Sequence, residues 1–172
     1  MPDAKTQDFF DRARAFAVAG MVLAGACGIV GSMVDWVTIR ERQVADDVDF
    51  GAATGEIEPG QGKPFTGIEA RDGWFTLIAG LVVIFCSGML FLTKRGGFAW
   101  IAFWASVVVG GIAFADYRGV GEVTAAISQR MDVGAEAVPA IGLTLVAAAA
   151  MLGLISSVAG VAATPRSPAP RA

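Results

Sequence analysis

The sequence predicts an all-α membrane protein, four transmembrane helices in a compact bundle, and three observations carry that prediction. Four long apolar runs occupy residues 15–37, 74–92, 97–115 and 138–163, each near the ~20 helical residues that a bilayer's hydrocarbon core requires. Hydrophobic residues make up 55% of the 172, and mean hydropathy is +0.60. The runs are also rich in Gly and Ala, which let helices approach closely in lipid. Inside hydrocarbon the backbone must satisfy its own N–H and C=O groups, so each run has to be a helix; the alternation of a barrel strand is absent. A water-soluble bundle would need polar helix faces that these runs lack.

The first run follows Arg12 and Arg14, and its small residues Gly20, Ala24, Gly28 and Gly31 recur at three- and four-residue spacing, with Asp35 extending the stripe. Its segment Ala24-Gly25-Ala26-Cys27 is similar to a lipoprotein processing box with Cys27 as the acylated residue. Ala24 stands where a branched aliphatic is usual, however, and the chain stays apolar through Val34 where a mature lipoprotein turns polar, so a retained helix is the better reading. Cys27 and Cys86 are the only cysteines, both inside predicted helices and not part of a C-x-x-C pair, which makes them packing residues. Loops without cysteine are not stapled and take their order from the bundle, lipid or a partner.

The first outer connection, about 38–73, is too long for a tight turn and too short for a domain. Its middle is acidic, with Asp46, Asp47, Asp49, Glu56 and Glu58, and is broken by Pro59, Gly60, Gly62 and Pro64. The three aspartates could hold calcium weakly, but the spacing and glycine of an EF-hand are missing, so solvated acids are the simpler reading. From Phe65 to Trp74, Gly67 and Gly73 frame a charged turn. Asp72 falls near the helix start, where its charge suits the macrodipole, and helix capping is preferred there over ligand contact.

The second run carries Gly73, Gly80 and Ser87 at heptad spacing and ends at the very short turn of Lys94 and Arg95. The third carries Ser106, Gly110 and Ala113, a stripe ending at Asp116. The second outer connection, about 116–137, contains a short surface helix at 123–131, and Pro139 falls early in the fourth helix, where proline is tolerated. That helix offers Gly142, Ala149, Gly153, Ser156 and Gly160. These small-residue faces predict close packing and equally permit a homo-oligomer or partner helices. Residues 1–11 form a polar tail leading into an interfacial helix through Phe9 and Phe10, and 164–172, with Pro165, Pro168 and Pro170, reads as a disordered cytoplasmic tail.

The two halves echo one another: Asp35-Trp36 matches Asp116-Tyr117, and Gly67-Ile68-Glu69-Ala70 matches Gly134-Ala135-Glu136-Ala137, followed by Thr76-Leu77 and Thr144-Leu145. The echo suggests two packed helical hairpins, a parallel arrangement found in transporters and in inert scaffolds. Arg12, Arg14, Lys94, Arg95, Arg166 and Arg171 fall on one side of the four alternating helices. The positive-inside rule makes that side cytoplasmic, with both termini inside a bacterial plasma membrane. Arg40, Arg42, Lys63, Arg71, Arg118 and Arg130 lie opposite, in longer connections that carry more acid than base. Trp36, Trp74 and Tyr117 are expected at the outer interface, and Phe98 and Trp100 at the inner one.

The chain has no histidine, which excludes His-ligated haem and zinc and removes the commonest general base. Serines and threonines in the runs have no base nearby in sequence and are expected to bond to backbone. No catalytic, cofactor-binding or metal-ligating residues are assigned, and no enzyme activity is expected. A net charge of −3 with a pI near 4.9 argues against nucleic acid. No ionisable group lies in the middle of a run, whereas ion and proton paths usually carry one. A small multidrug-resistance pump relies on an acid within its first helix, and the run before Asp35 has none. The candidate interface or functional network is Asp35, Trp36, Arg40, Asp72, Gly73, Trp74, Asp116, Tyr117 and Arg118, with Asp35 and Asp116 expected to meet Arg40 or Arg118.

Gly67 to Thr76 and, more loosely, residues 133–145 give the chain a likeness. It resembles the uncharacterised small four-helix integral membrane proteins of actinobacteria, which carry a Gly-rich, Asp-Gly segment before the second helix and a Gly- and Leu-rich last helix. Arg outnumbers Lys among the 13 basic residues, and Ala, Gly and Val abound, as in a GC-rich genome. The resemblance implies the four-helix architecture and brings no agreed activity. Claudins and tetraspanins share the helix count, but the loop cysteines that mark both are absent. The expected function is a non-enzymatic accessory or scaffolding component of a cell-envelope membrane complex, its partners being the lipid bilayer and a membrane protein or further copies of itself. The alternative is a small transporter, channel or lipid-handling protein acting as an oligomer.

Overall fold

The computed structural model describes residues 4–41, 63–68, 72–131 and 135–164. In chain order the elements are α1 (Ala4–Met33), β1 (Asp35–Glu41), β2 (Lys63–Thr66), α2 (Asp72–Thr93), α3 (Gly97–Met131), β3 (Ala135–Pro139) and α4 (Ile141–Ala162). Four segments are long and apolar enough to cross a membrane: Thr6–Met33, Asp72–Thr93, Gly97–Val120 and Ile141–Ala162. They form a four-helix bundle in which α1 packs against α2 and α4, and α3 packs against the same two helices from the other side.

Small side chains face inward and large apolar ones face out. On α2 the buried residues Gly73, Thr76, Gly80, Val83, Ser87 and Leu90 follow one another at alternating steps of three and four, the spacing of a seam that stays against its neighbours. Phe75, Ile78, Phe85 and Leu92 of the same helix are exposed. In water such a surface would be an association hazard; in lipid it is the solvated face.

The small-residue stripes are used within the chain. A Cβ on Gly20 would collide with Ser156 of α4, and one on Gly153 with Ser106 of α3. Gly25 and Gly80 bring the backbones of α1 and α2 together, and Gly31 lies against Val146 and the Gly142 carbonyl. Partner helices therefore do not reach these stripes. Several buried hydroxyls bond to their own helices, Ser32 to the Ile29 carbonyl at 2.7 Å, Thr76 to Gly73 at 2.9 Å and Ser106 to Ala102 at 2.9 Å, while the buried Ser157 Oγ has no hydrogen-bond partner among the described residues.

Four boundaries differ from the sequence reading. α1 begins at Ala4, so the polar segment is continuous with the spanning helix, supported by ion pairs between Asp8 and Arg12 at 2.9 Å and Asp11 and Arg14 at 3.1 Å at the spacings where helical side chains meet. It stops at Met33, four residues early, where Trp36, Val37, Thr38 and Ile39 give the chain strand-forming residues. The surface helix expected at 123–131 is the continuation of α3, which runs 35 residues without a break, about 50 Å. Pro139 ends β3 and precedes α4.

A three-stranded antiparallel sheet, order β2-β1-β3, crowns the end of the bundle opposite the Lys94–Arg95 turn. β1 pairs with β3 from Val37↔Pro139 to Glu41↔Ala135, and with β2 from Asp35↔Thr66 to Ile39↔Lys63. The expectations for Asp46, Asp47, Asp49, Glu56 and Glu58 and for the tail after Thr164 lie outside the described residues.

Candidate functional site

The residues singled out in the sequence converge on the junction between sheet and bundle. Its centre is Trp36. The register of β1 against β2 shifts between Asp35 and Val37, which leaves Trp36 as the extra residue of a β-bulge. A bulge re-aims its side chain, and this one points into the bundle: Trp36 is 2% exposed, not at the lipid interface as the aromatic-belt reading expected. Its indole N–H donates to the Gly31 carbonyl at 2.7 Å, one of the last α1 carbonyls, which the helix leaves without an internal partner. The Trp36 carbonyl accepts from the Ala140 N–H at 2.7 Å, tying β1 to the start of α4.

Two glycines hold the indole between them. Gly67 lies so close that a Cβ would overlap the ring, and a Cβ on Gly142 would stand 2.8 Å from Trp36 Cδ1 and 2.7 Å from the Asp35 carbonyl oxygen. Gly73 completes the junction. Its N–H donates to the Gly67 carbonyl at 2.8 Å, and a Cβ there would strike the same peptide. The two glycines that frame the charged turn are thus a fitted contact between the end of β2 and the first turn of α2. Gly67 and Gly142 were missing from the expected network; their signal was glycine in the Phe65–Trp74 stretch and in the α4 stripe.

Asp72 opens α2, where its charge faces the positive end of the helix dipole. Across the α2–α3 interface its carboxyl lies close to that of Asp116 on α3. Asp116 Oδ2 is buried with no partner.

The remaining candidates divide. Trp74 and Tyr117 are exposed, 54% and 61%, as belt residues would be. Arg118 turns outward, its guanidinium 5.0 Å from the Phe114 ring centroid. Asp116 therefore meets Asp72 and not Arg118, because i and i+2 on a helix point to different faces. Asp35 is half-buried at the head of β1. Arg40 sits in β1 opposite Glu136 of β3, with its side chain outside the described set. Among the described residues no group of three or more His, Cys, Asp or Glu could hold a metal ion.

The junction combines one buried aromatic, two glycines that admit it, a third glycine seated on the Gly67 peptide, and two backbone bonds linking strands to helices. Comparison of the chain with protein-family models, with curated proteins and with solved structures gives no match.

Proposed function

We propose that this chain is a non-enzymatic accessory or scaffolding component of a membrane complex in a bacterial cell envelope, inserted in the plasma membrane with both termini cytoplasmic. The observation that carries the proposal is a closed bundle beneath a built sheet. Where Ala24, Gly28, Thr76, Gly80, Ser106 and Ala149 converge, the interior leaves a void of only ≈ 10 Å³, less than one water needs. No Asp, Glu, Lys or Arg lies between Arg14 and Met33 of α1, between Asp72 and Thr93 of α2, between Gly97 and Asp116 of α3, or within α4. Such an interior lacks the polar or ionisable lining that solute and proton paths usually carry, which supports a scaffolding reading. What the bundle does present is a sheet held in fixed orientation by Trp36, and sheets on rigid supports are suited to docking another protein.

The small-residue stripes are occupied inside the chain, so a partner helix would meet the larger apolar faces, and an exported partner the sheet. The sidedness rests on Arg12, Arg14, Lys94 and Arg95 gathering at the end opposite the sheet. Purification from the native host in mild detergent, with mass spectrometry and native sizing, tests the proposal. Stoichiometric recovery of one envelope assembly is expected, and a partner-free particle would sink it. A transporter acting as an oligomer is the second reading, favoured by the Asp72–Asp116 pair alone; its test is flux in liposomes, lost on Asp116→Asn.

A further inference from the structure

At the end of the bundle away from the sheet, an open apolar groove of ≈ 890 Å³ runs between α1, the start of α3 and the end of α4. Phe10, Trp100, Phe103, Val158 and Val161 line it, with Gly96, Gly97 and Thr164 at its mouth. The wall on α3 is stiff: the Trp100 and Phe103 rings meet edge-on with centroids 5.6 Å apart. At the mouth Gly96 backs onto Thr164, so close that a Cβ would lie 3.2 Å from the threonine side chain.

The mouth is positively charged. Lys94 and Arg95 directly precede Gly96, are exposed, and have no ion pair among the described residues. α3 starts at Gly97 with no acidic residue in its first turn, so the positive end of its dipole is uncompensated. Arg14 lies one helical turn from Phe10, on the same face of α1; it is 7% exposed, its Nη1 pairs with Asp11 at 3.1 Å, and its Nε has no hydrogen-bond partner. An apolar slot that opens under cations at the end of a membrane bundle matches one chemistry, an acyl chain below an anionic headgroup.

We propose that the groove binds an anionic phospholipid, one acyl chain lying against Trp100, Phe103 and Val158 and the phosphate held by Lys94, Arg95 and the Gly97 N–H at the start of α3. The segment that follows Thr164, Pro165-Arg166-Ser167-Pro168-Ala169-Pro170-Arg171-Ala172, carries no large apolar side chain, so it is a poor filling for an aromatic-walled slot. Basic sites of this kind select charge through the headgroup and tolerate variation in the chain.

Native mass spectrometry of the full chain in mild detergent tests this, with phosphatidylglycerol titrated against phosphatidylcholine of matched acyl chains. The wild type should retain phosphatidylglycerol preferentially. Each charge removed should weaken retention about fivefold, and Lys94→Gly with Arg95→Ala about thirtyfold. Lys94→Gly is free of folding loss because Lys94 has φ 55°, a conformation glycine adopts without strain. Gly97→Phe should abolish retention by filling the groove, and since a Cβ at Gly97 meets nothing within 4 Å, the bundle stays intact by thermal unfolding. Equal retention of the two lipids, or unchanged phosphatidylglycerol binding in either variant, would overturn the proposal. So would binding that appears only after truncation behind Thr164, which would place the tail in the groove.

Discussion

Gly67 packs so closely on the indole of Trp36 that a single added Cβ would overlap the ring. Bulge, ring and glycine form one unit: the bulge aims the ring inward, the Gly31 carbonyl takes its N–H, and Gly67 lets β2 close over it. Gly67→Ala is expected to lower stability by about 1–3 kcal/mol, the range for overpacking a filled site. Trp36→Phe should lose about 1–3 kcal/mol, since it leaves the Gly31 carbonyl without its donor. Thermal unfolding in detergent checks both, and a Gly67→Ala variant as stable as the wild type would remove Trp36 from the centre of the junction.

The glycines divide into two sets with opposite tolerance. Gly20 and Gly153 are in contact with Ser156 and Ser106 across helix pairs, whereas Gly88 and Gly111 have open space where a side chain would go. Gly20→Val and Gly153→Val should each cost about 1–3 kcal/mol. Ala at Gly88 or Gly111 should stay within about 0.5 kcal/mol of wild type. Equal effects in the two sets, read from unfolding midpoints, would mean that the stripes do not hold the bundle.

The helices were legible because lipid leaves a long apolar run no alternative, and the inward faces were legible because small residues repeat at helical spacing. The sheet was not. β2 is four residues containing Pro64, and β3 is Ala135-Glu136-Ala137-Val138-Pro139. Neither has the β-branched alternation that marks a strand, and proline is tolerated only on such outer strands. Trp36 was placed at the lipid interface because tryptophan favours it, and only the bulge turns it inward. The Asp72–Asp116 pair joins residues 44 apart in sequence, and charge alone would have matched Asp116 with Arg118. The start of α1 was readable in hindsight from Asp8–Arg12 and Asp11–Arg14 at i,i+4 and i,i+3.

Asp116→Asn is expected to strengthen the contact with Asp72, because an amide N–H can donate to the neighbouring carboxylate. At pH 8 the variant should match or exceed wild-type stability by up to about 1 kcal/mol, the scale of a partly exposed charged contact. Asp116→Ala leaves Asp72 without its partner and should gain nothing from the donor. If Asn destabilises as much as Ala, the two side chains do not meet.

The proposed sidedness rests on charge at one end and sheet at the other, and accessibility to a membrane-impermeant thiol reagent tests it directly. The native Cys27 is half-buried and Cys86 buried, both in the middle of spanning helices, so the background labelling is low. In intact cells Thr38→Cys, on β1, should react, and Lys94→Cys, in the exposed turn between α2 and α3, should react only after the membrane is opened. Thr38 is half-buried, so its labelling will be slower than that of a free loop while remaining above the native background. The reverse pattern would put the cationic groove outside and the sheet inside. An envelope partner would then have to approach from the cytoplasm, and the lipid in the groove would belong to the outer leaflet, where the negative surface potential of the cytoplasmic face does not help to hold it.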